Sequence, residues 1–142
     1  MDEDGHTQGY VSDGIVYLQI TLDEYNLRAT SQEYTMETIL HEVIHAYLSA
    51  VTNTYSDPDN WQHQAMVGWV DCEREALQEI FPSLPAADAN ALAISGLKNA
   101  AGINTSMFND LLTTYGLTDQ QIVNTEQSYQ LPHGSGKGTP CD

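Results

Sequence analysis

The hydrophobic pattern changes period along the chain. In YVSDGIVYLQITL, residues 10–22, β-branched and aromatic residues dominate, and Ser12-Asp13-Gly14 supplies a turn signal. This predicts a strand over 15–22, with Tyr10-Val11 pairing back across the turn as a hairpin. Residues 1–9 read as a polar tail that includes His6. From residue 31 the apolar positions recur at helical spacing. Thr30 followed by Glu33 has the spacing of a capping box and opens a helix over 31–51. NTYSDPDN, residues 53–60, is a loop by its Pro, Asp and Asn content. Asp59 followed by Gln62 repeats the capping spacing and predicts a helix from near Asn60 to Ile80, stopped at Phe81-Pro82. Pro85 and Gly102 frame a helix over 86–101. Residues 105–115 form a short helix ended by Gly116, and Thr118 or Asp119 caps a last one running to Ser128.

GSGKGT, residues 134–139, lacks the residue order and the flanking strand and helix of a phosphate loop, so residues 132–142 read as a flexible tail. There is no internal repeat and no linker. The expectation is a single domain over 1–142, α+β and helix-dominant, with a short hairpin or edge strand followed by about five helices.

Charge narrows the partners. The 142 residues include 20 acidic and only 4 basic ones, a formal net charge of −16. Phosphate backbones and anionic lipid repel such a surface, which argues against nucleic-acid and membrane partners. No apolar run is long enough to span a bilayer, and MDEDGHTQGY is too acidic and polar for a signal or transit peptide. The two cysteines, Cys72 and Cys141, are too few for a zinc ribbon and leave open one disulfide or two free thiols. Few lysines and many Thr, Asn, Gln and Ser residues lean towards an extracytoplasmic protein.

The helix over 31–51 contains His41-Glu42-Val43-Ile44-His45. Residues four apart share a helix face, so His41 and His45 can aim ring nitrogens at one ion about 2.0–2.1 Å away. Glu42 is turned by about 100° and can reach a water held on that ion. Zinc lowers the pKa of such a water to about 7, and the carboxylate can take its proton. The five residues thus supply two ligands and a general base. Ile39, Leu40, Val43, Ile44, Tyr47 and Leu48 predict that this helix is buried, where two histidines and a glutamate need a partner or an ion.

The third ligand lies elsewhere. Metzincins carry a glycine three residues after the second histidine and a further histidine three residues beyond it; Leu48 and Val51 occupy those places here. Downstream candidates are Asp57, Asp59, His63, Asp71, Glu73 and Glu75. His63 is the choice, because Met66, Val67, Val70 and Leu77 follow it at helical spacing and turn it to the buried side. Glu73 is second, since a helix-borne glutamate is the third ligand in the gluzincin pattern; otherwise it is a charge on the solvated side. Trp61 and Trp69 read as packing residues. Tyr47 could pack under the metal, and Tyr115, Tyr129 and His133 are candidates for stabilising an oxyanion.

ILHEVIHAYL, the Asn/Asp-rich loop after it, and a histidine leading a helix with methionine three residues on together resemble the SprT-like zinc metallopeptidases. The likeness covers residues 10–80. It implies a minimal zincin-like core, one Zn²⁺ held by His41, His45 and His63, Glu42 as base and acid, and an edge strand, GIVYLQI, that holds an extended peptide by β-pairing. Gln64 stands where members usually carry glycine, and the zinc ribbon of many members is missing. The expected function is a zinc-dependent metallopeptidase acting on a protein or peptide substrate. The alternatives are a catalytically latent zinc-binding module that recruits a protein partner, or the peptidase domain of a larger effector or toxin.

Overall fold

A two-residue turn starts the architecture. Asp13 and Gly14 both take positive φ, 52° and 76°, the conformation of a type I′ turn, whose twist suits the flanking strands. In the computed structural model, which describes residues 4–52, 59–131 and 136–141, this turn joins β1 (Gly5–Ser12) to β2 (Ile15–Leu22). The two pair antiparallel from Gly5↔Leu22 to Ser12↔Ile15, and Tyr10 stacks on Tyr17 across the ladder with centroids 5.0 Å apart. The strand thus begins at Gly5, five residues before Tyr10, and takes in His6. Residues 5–9 carry little apolar signal of their own. The partner strand supplies both the hydrogen-bonding ladder and the hydrophobic side chains.

Seven helices follow among the described residues: α1 (Glu24–Leu27), α2 (Gln32–Thr52), α3 (Asp59–Met66), α4 (Val70–Ile80), α5 (Ala86–Ser95), α6 (Thr105–Tyr115) and α7 (Asp119–Gln130). The fold is α+β and helix-dominant, as expected, with more helices than the five counted from the sequence. The two extra ones arise at α1, capped by Asp23, and where a 3-10 turn, Val67–Trp69, splits the helix expected over 60–80. Gly68 sits in that turn, and glycine is among the poorest helix formers. The helix expected to reach residue 101 stops at Ser95. The chain then turns through Asn99 and Gly102, both at positive φ.

Capping differs in detail as well. The α2 cap is Ser31, whose Oγ accepts from the Tyr34 amide at 3.1 Å, not Thr30, whose hydroxyl donates back to the Leu27 carbonyl. Glu33 is not part of a capping box. It accepts from the Thr139 amide (2.8 Å) and hydroxyl (3.0 Å), so residues 136–141 are strapped onto α2 rather than loose. Thr118, one of the two expected caps, caps α7 and forms a capping box with Gln121.

The core lies within the helical body. Met66, Val70, Leu77, Leu92, Ile94, Leu97 and Ile122 have no exposed surface. Trp61 and Trp69 pack on this core partly buried. Cys72 and Cys141 are free thiols. No described helix is long and apolar enough to cross a membrane.

Candidate metal centre

Helix α2 buries a polar stripe. Residues four apart stack along one face of a helix, and here Glu33, Glu37, His41, His45 and Ser49 occupy that spacing. All but His41, which is half-buried, are buried. Ile44 and Leu48 anchor the helix in the core, while Val43 and Tyr47, also expected to be buried, are exposed, so the burial is confined to one side. Tyr47 packs on Trp69, with centroids 5.4 Å apart, on the outer face and not beneath the histidines.

The stripe meets α3 at three imidazoles. His45 Nε2 lies 3.2 Å from His41 Nε2 and 3.2 Å from His63 Nε2. The spacing fits a shared ion: nitrogens at 2.0–2.1 Å in tetrahedral array are separated by about 3.3 Å. His63 is thus brought to the pair as expected. Asp71 and Glu75 instead pair with Arg74 at the surface. Asp57 and the side chain of Asp59 lie outside the described residues.

Two of the rings have their tautomers fixed from behind. His45 Nδ1 is 2.7 Å from Gln62 Oε1, and Gln62 Nε2 donates to Ser49 Oγ at 2.9 Å. The amide is thereby oriented with its oxygen towards the ring, so Nδ1 carries the proton and donates. His63 Nδ1 lies 3.0 Å from the Ala101 carbonyl, which can only accept. In both rings Nε2 is therefore the lone-pair nitrogen, the form that binds metal. The turn carrying Ala101 is clamped to α3 by Gln64 Nε2, which donates to the Gly102 carbonyl at 2.9 Å. A Cβ on Gly102 would fall 2.0 Å from the Asn60 carbonyl oxygen, so only glycine permits that approach.

His41 is held neutral. Burial first, and then His45 and His63 beside it, push its pKa down to about 3. Behind it, one nitrogen of His41 and one carboxylate oxygen from each of Glu37 and Glu73 lie within 4.8 Å of one another. Glu73 is therefore buried, 2% exposed, not on the solvated side, and it faces the back of His41 rather than the other two histidines. Burial raises its pKa to about 8. Burial, then the nearby Glu73, raises Glu37 well above the ordinary carboxylate range.

Glu42 is buried on the neighbouring face. The Thr7 hydroxyl donates towards it from β1, 2.6 Å from Oε2 and 3.0 Å from the Glu42 carbonyl. The strand beside the histidines is thus the first half of β1: Gly5, His6 and Thr7 line the cleft with Tyr34 and Lys98. GIVYLQI of β2 does not line it. Neither do Tyr115 and Tyr129, both set away from the cleft; Tyr129 donates to Asp88 at 2.9 Å. His133 lies outside the described residues.

Thr7, Gln62, Glu37 and the Ala101 carbonyl are site groups the sequence reading missed. Glu37 alone carried a signal, four residues before His41 on the same face. Taken together, the arrangement can hold one metal ion on three imidazoles with a carboxylate alongside. No protein-family model, curated protein or solved structure matches this chain.

Proposed function

We propose that the chain is a zinc-dependent metallopeptidase with a zincin-like core, in which His41, His45 and His63 hold one Zn²⁺ and Glu42 is the general base. The observation that carries this reading is the convergence of three Nε2 atoms at 3.2 Å steps, two with their Nδ1 protons engaged, where α3 meets the helix that bears Glu42. Three imidazoles are a ligand set of catalytic zinc sites. When bound, the ion supplies a water acidified to near neutrality and polarises a carbonyl.

The chain's own groups do the rest. Glu42 takes a proton from the attacking water and returns it to the leaving nitrogen. Thr7 donates to Oε2 and fixes the direction of that carboxylate. The substrate is an unstructured protein or peptide. The net charge of −16 disfavours nucleic acid and anionic membrane, and the composition fits an extracytoplasmic setting.

One observation favours a second reading. Glu42 is only 6% exposed, and a Cβ on Gly5 would come 2.8 Å from its Cγ, so β1 covers the base. A zinc-binding module that recruits a partner without cutting it would tolerate that cover. Zinc content and hydrolysis of an unfolded protein such as casein, measured on wild type and Glu42→Gln, decide between the two. The peptidase reading expects one zinc in each and cleavage lowered about 10²–10⁴-fold in the variant. Undiminished cleavage by the variant overturns it, and a wild type that holds zinc without cutting supports the module.

A further inference from the structure

We propose that Glu37, backed by Glu73, is the positioning residue for His41: its Oε1 accepts the proton on His41 Nδ1 and so commits Nε2 to the ion. This rests on the zinc reading above and extends it to the carboxylates behind the site.

The three rings are unequal. His45 and His63 have acceptors for Nδ1 in Gln62 and the Ala101 carbonyl. His41 Nδ1 is shielded from solvent and has no hydrogen-bond partner, and the same is true of Glu37 Oε1 and Glu73 Oε1. The residues that carry these three orphaned atoms form one cluster, each with a ligand atom within 4.8 Å of the others'. Buried polar groups are rarely left unpaired, and each case calls for a reason. A donor and two carboxylates facing one another supply it. Ligating histidines ordinarily give their second nitrogen to a carboxylate or carbonyl, and His41 lacks only this contact.

Gly96 marks the same place. A Cβ there would sit 2.9 Å from Glu37 Oε1 and 2.9 Å from His41 Nδ1. Gly96 has φ −61° and ψ −20°, which any residue adopts, so glycine is not required by the backbone. What it provides is room for the carboxylate and the ring to face each other. A second ion on Glu37, His41 and Glu73 is the weaker reading, because His41 would have to give both nitrogens to metal as an imidazolate.

The test uses the full chain. Zinc affinity is read by competition with a chromophoric chelator, stoichiometry by elemental analysis, and the His41 Nδ1 proton by histidine ¹⁵N–¹H spectra. Glu37→Leu should weaken zinc binding about 10–100-fold and lose the downfield Nδ1–H signal. Glu37→Gln, whose amide oxygen can still accept, should recover most of both. Gly96→Ala keeps all three side chains but wedges a methyl group between Glu37 and His41, and should reproduce the Leu result. Stoichiometry should stay at one throughout.

If Glu37→Leu fails to fold, Gly96→Ala decides, since alanine suits that helical backbone. Wild-type affinity and spectra in folded Leu and Ala variants overturn the proposal. So do two zinc ions in wild type with one lost in the Leu variant. A wild type that binds no zinc defeats the metallopeptidase reading instead. The His41 signal then still supports the contact if Glu37→Leu abolishes it, and overturns it if the variant leaves it unchanged.

Discussion

The helical body and the hairpin bury their apolar residues very differently. Leu92 has no exposed surface, whereas Leu18 on β2 keeps 37% and Ile15 keeps 56%. The body is held by dry packing around α4, α5 and α7. The hairpin is held by its own ladder and by contacts with α2, with Thr7 reaching Glu42. The candidate site straddles this division. Its imidazole half, the three rings that could hold a metal with Gln62 and the Ala101 carbonyl behind two of them, belongs to the body. The contact that directs Glu42 belongs to the hairpin. The two regions should therefore answer differently to mutation, with stability and metal binding lost from one and proton transfer tuned from the other.

The sharpest test of that division is a matched pair of leucines. Leu92→Ala should cost about 2–5 kcal/mol, the transfer term plus the cavity. Leu18→Ala should cost about 1–2 kcal/mol, since its side chain is only partly buried, with 37% already in water, and truncation at the surface leaves no closed cavity. Denaturant unfolding of the two variants measures both. Equal losses would mean that the hairpin is as much a part of the core as α5.

A pH dependence should come from the body alone. The pKa of Glu73 is raised from 4.5 to about 8 in the folded chain, so between those values the folded state keeps a proton that the unfolded chain has released. The stability this group contributes is full below about 4.5 and is lost as pH rises through 8. Glu37 shifts in the same direction. His41, lowered from 6.5 to about 3, acts oppositely: its contribution is full above 6.5 and is lost as pH falls towards 3. Metal-free protein should therefore lose stability between pH 5 and 9, by an amount on the order of a few kcal/mol. Glu73→Gln should flatten that slope, while hairpin variants keep it. Melting temperatures across the range decide, and an unchanged slope in Glu73→Gln would remove the carboxyl pair as its source.

These two regions were also unequally legible in the sequence. His41, Glu42 and His45 announce themselves, because one helix carries them at a fixed spacing. His63 could be found because Met66, Val70 and Leu77 mark the buried face of the next helix segments, even though the break at Val67–Trp69 was not foreseen. Gln62 could not be found. Asp59-x-x-Gln62 looks like a capping pair, and only tertiary packing turns the glutamine inward, where it is fully buried. Glu73 reads as a surface charge until α4 docks against α2. Thr7 was least legible, because GHTQG has no apolar alternation and becomes a strand only through β2. Short-range chemistry survives in the sequence; the groups that orient it come from chain segments brought near by the fold.

Within the site, Gln62→Leu should be the larger of two effects. It removes the acceptor for His45 Nδ1 and leaves Ser49 without its donor. Zinc affinity should fall about 10–100-fold, the usual worth of a group orienting a ligand, with the unfolding midpoint little changed because leucine fills similar space. Chelator competition measures it. Wild-type affinity would mean that packing alone holds the ring.

Thr7→Val probes the other side of the comparison and should have the smallest effect. The substitution keeps the shape of the side chain and deletes the hydroxyl that donates to Glu42 Oε2. A net hydrogen bond is worth about 1 kcal/mol, so kcat on an unfolded substrate should fall roughly tenfold or less. Zinc affinity should stay within about twofold, because no imidazole loses a partner. Thr7→Ser, which keeps the hydroxyl, should restore the rate. The comparison breaks if Thr7→Val lowers zinc affinity as far as Gln62→Leu does, because β1 would then belong to the metal-holding body. It sharpens if the rate rises instead, because the hydroxyl would then be restraining Glu42, and β1 would act as a cover over the base rather than its guide.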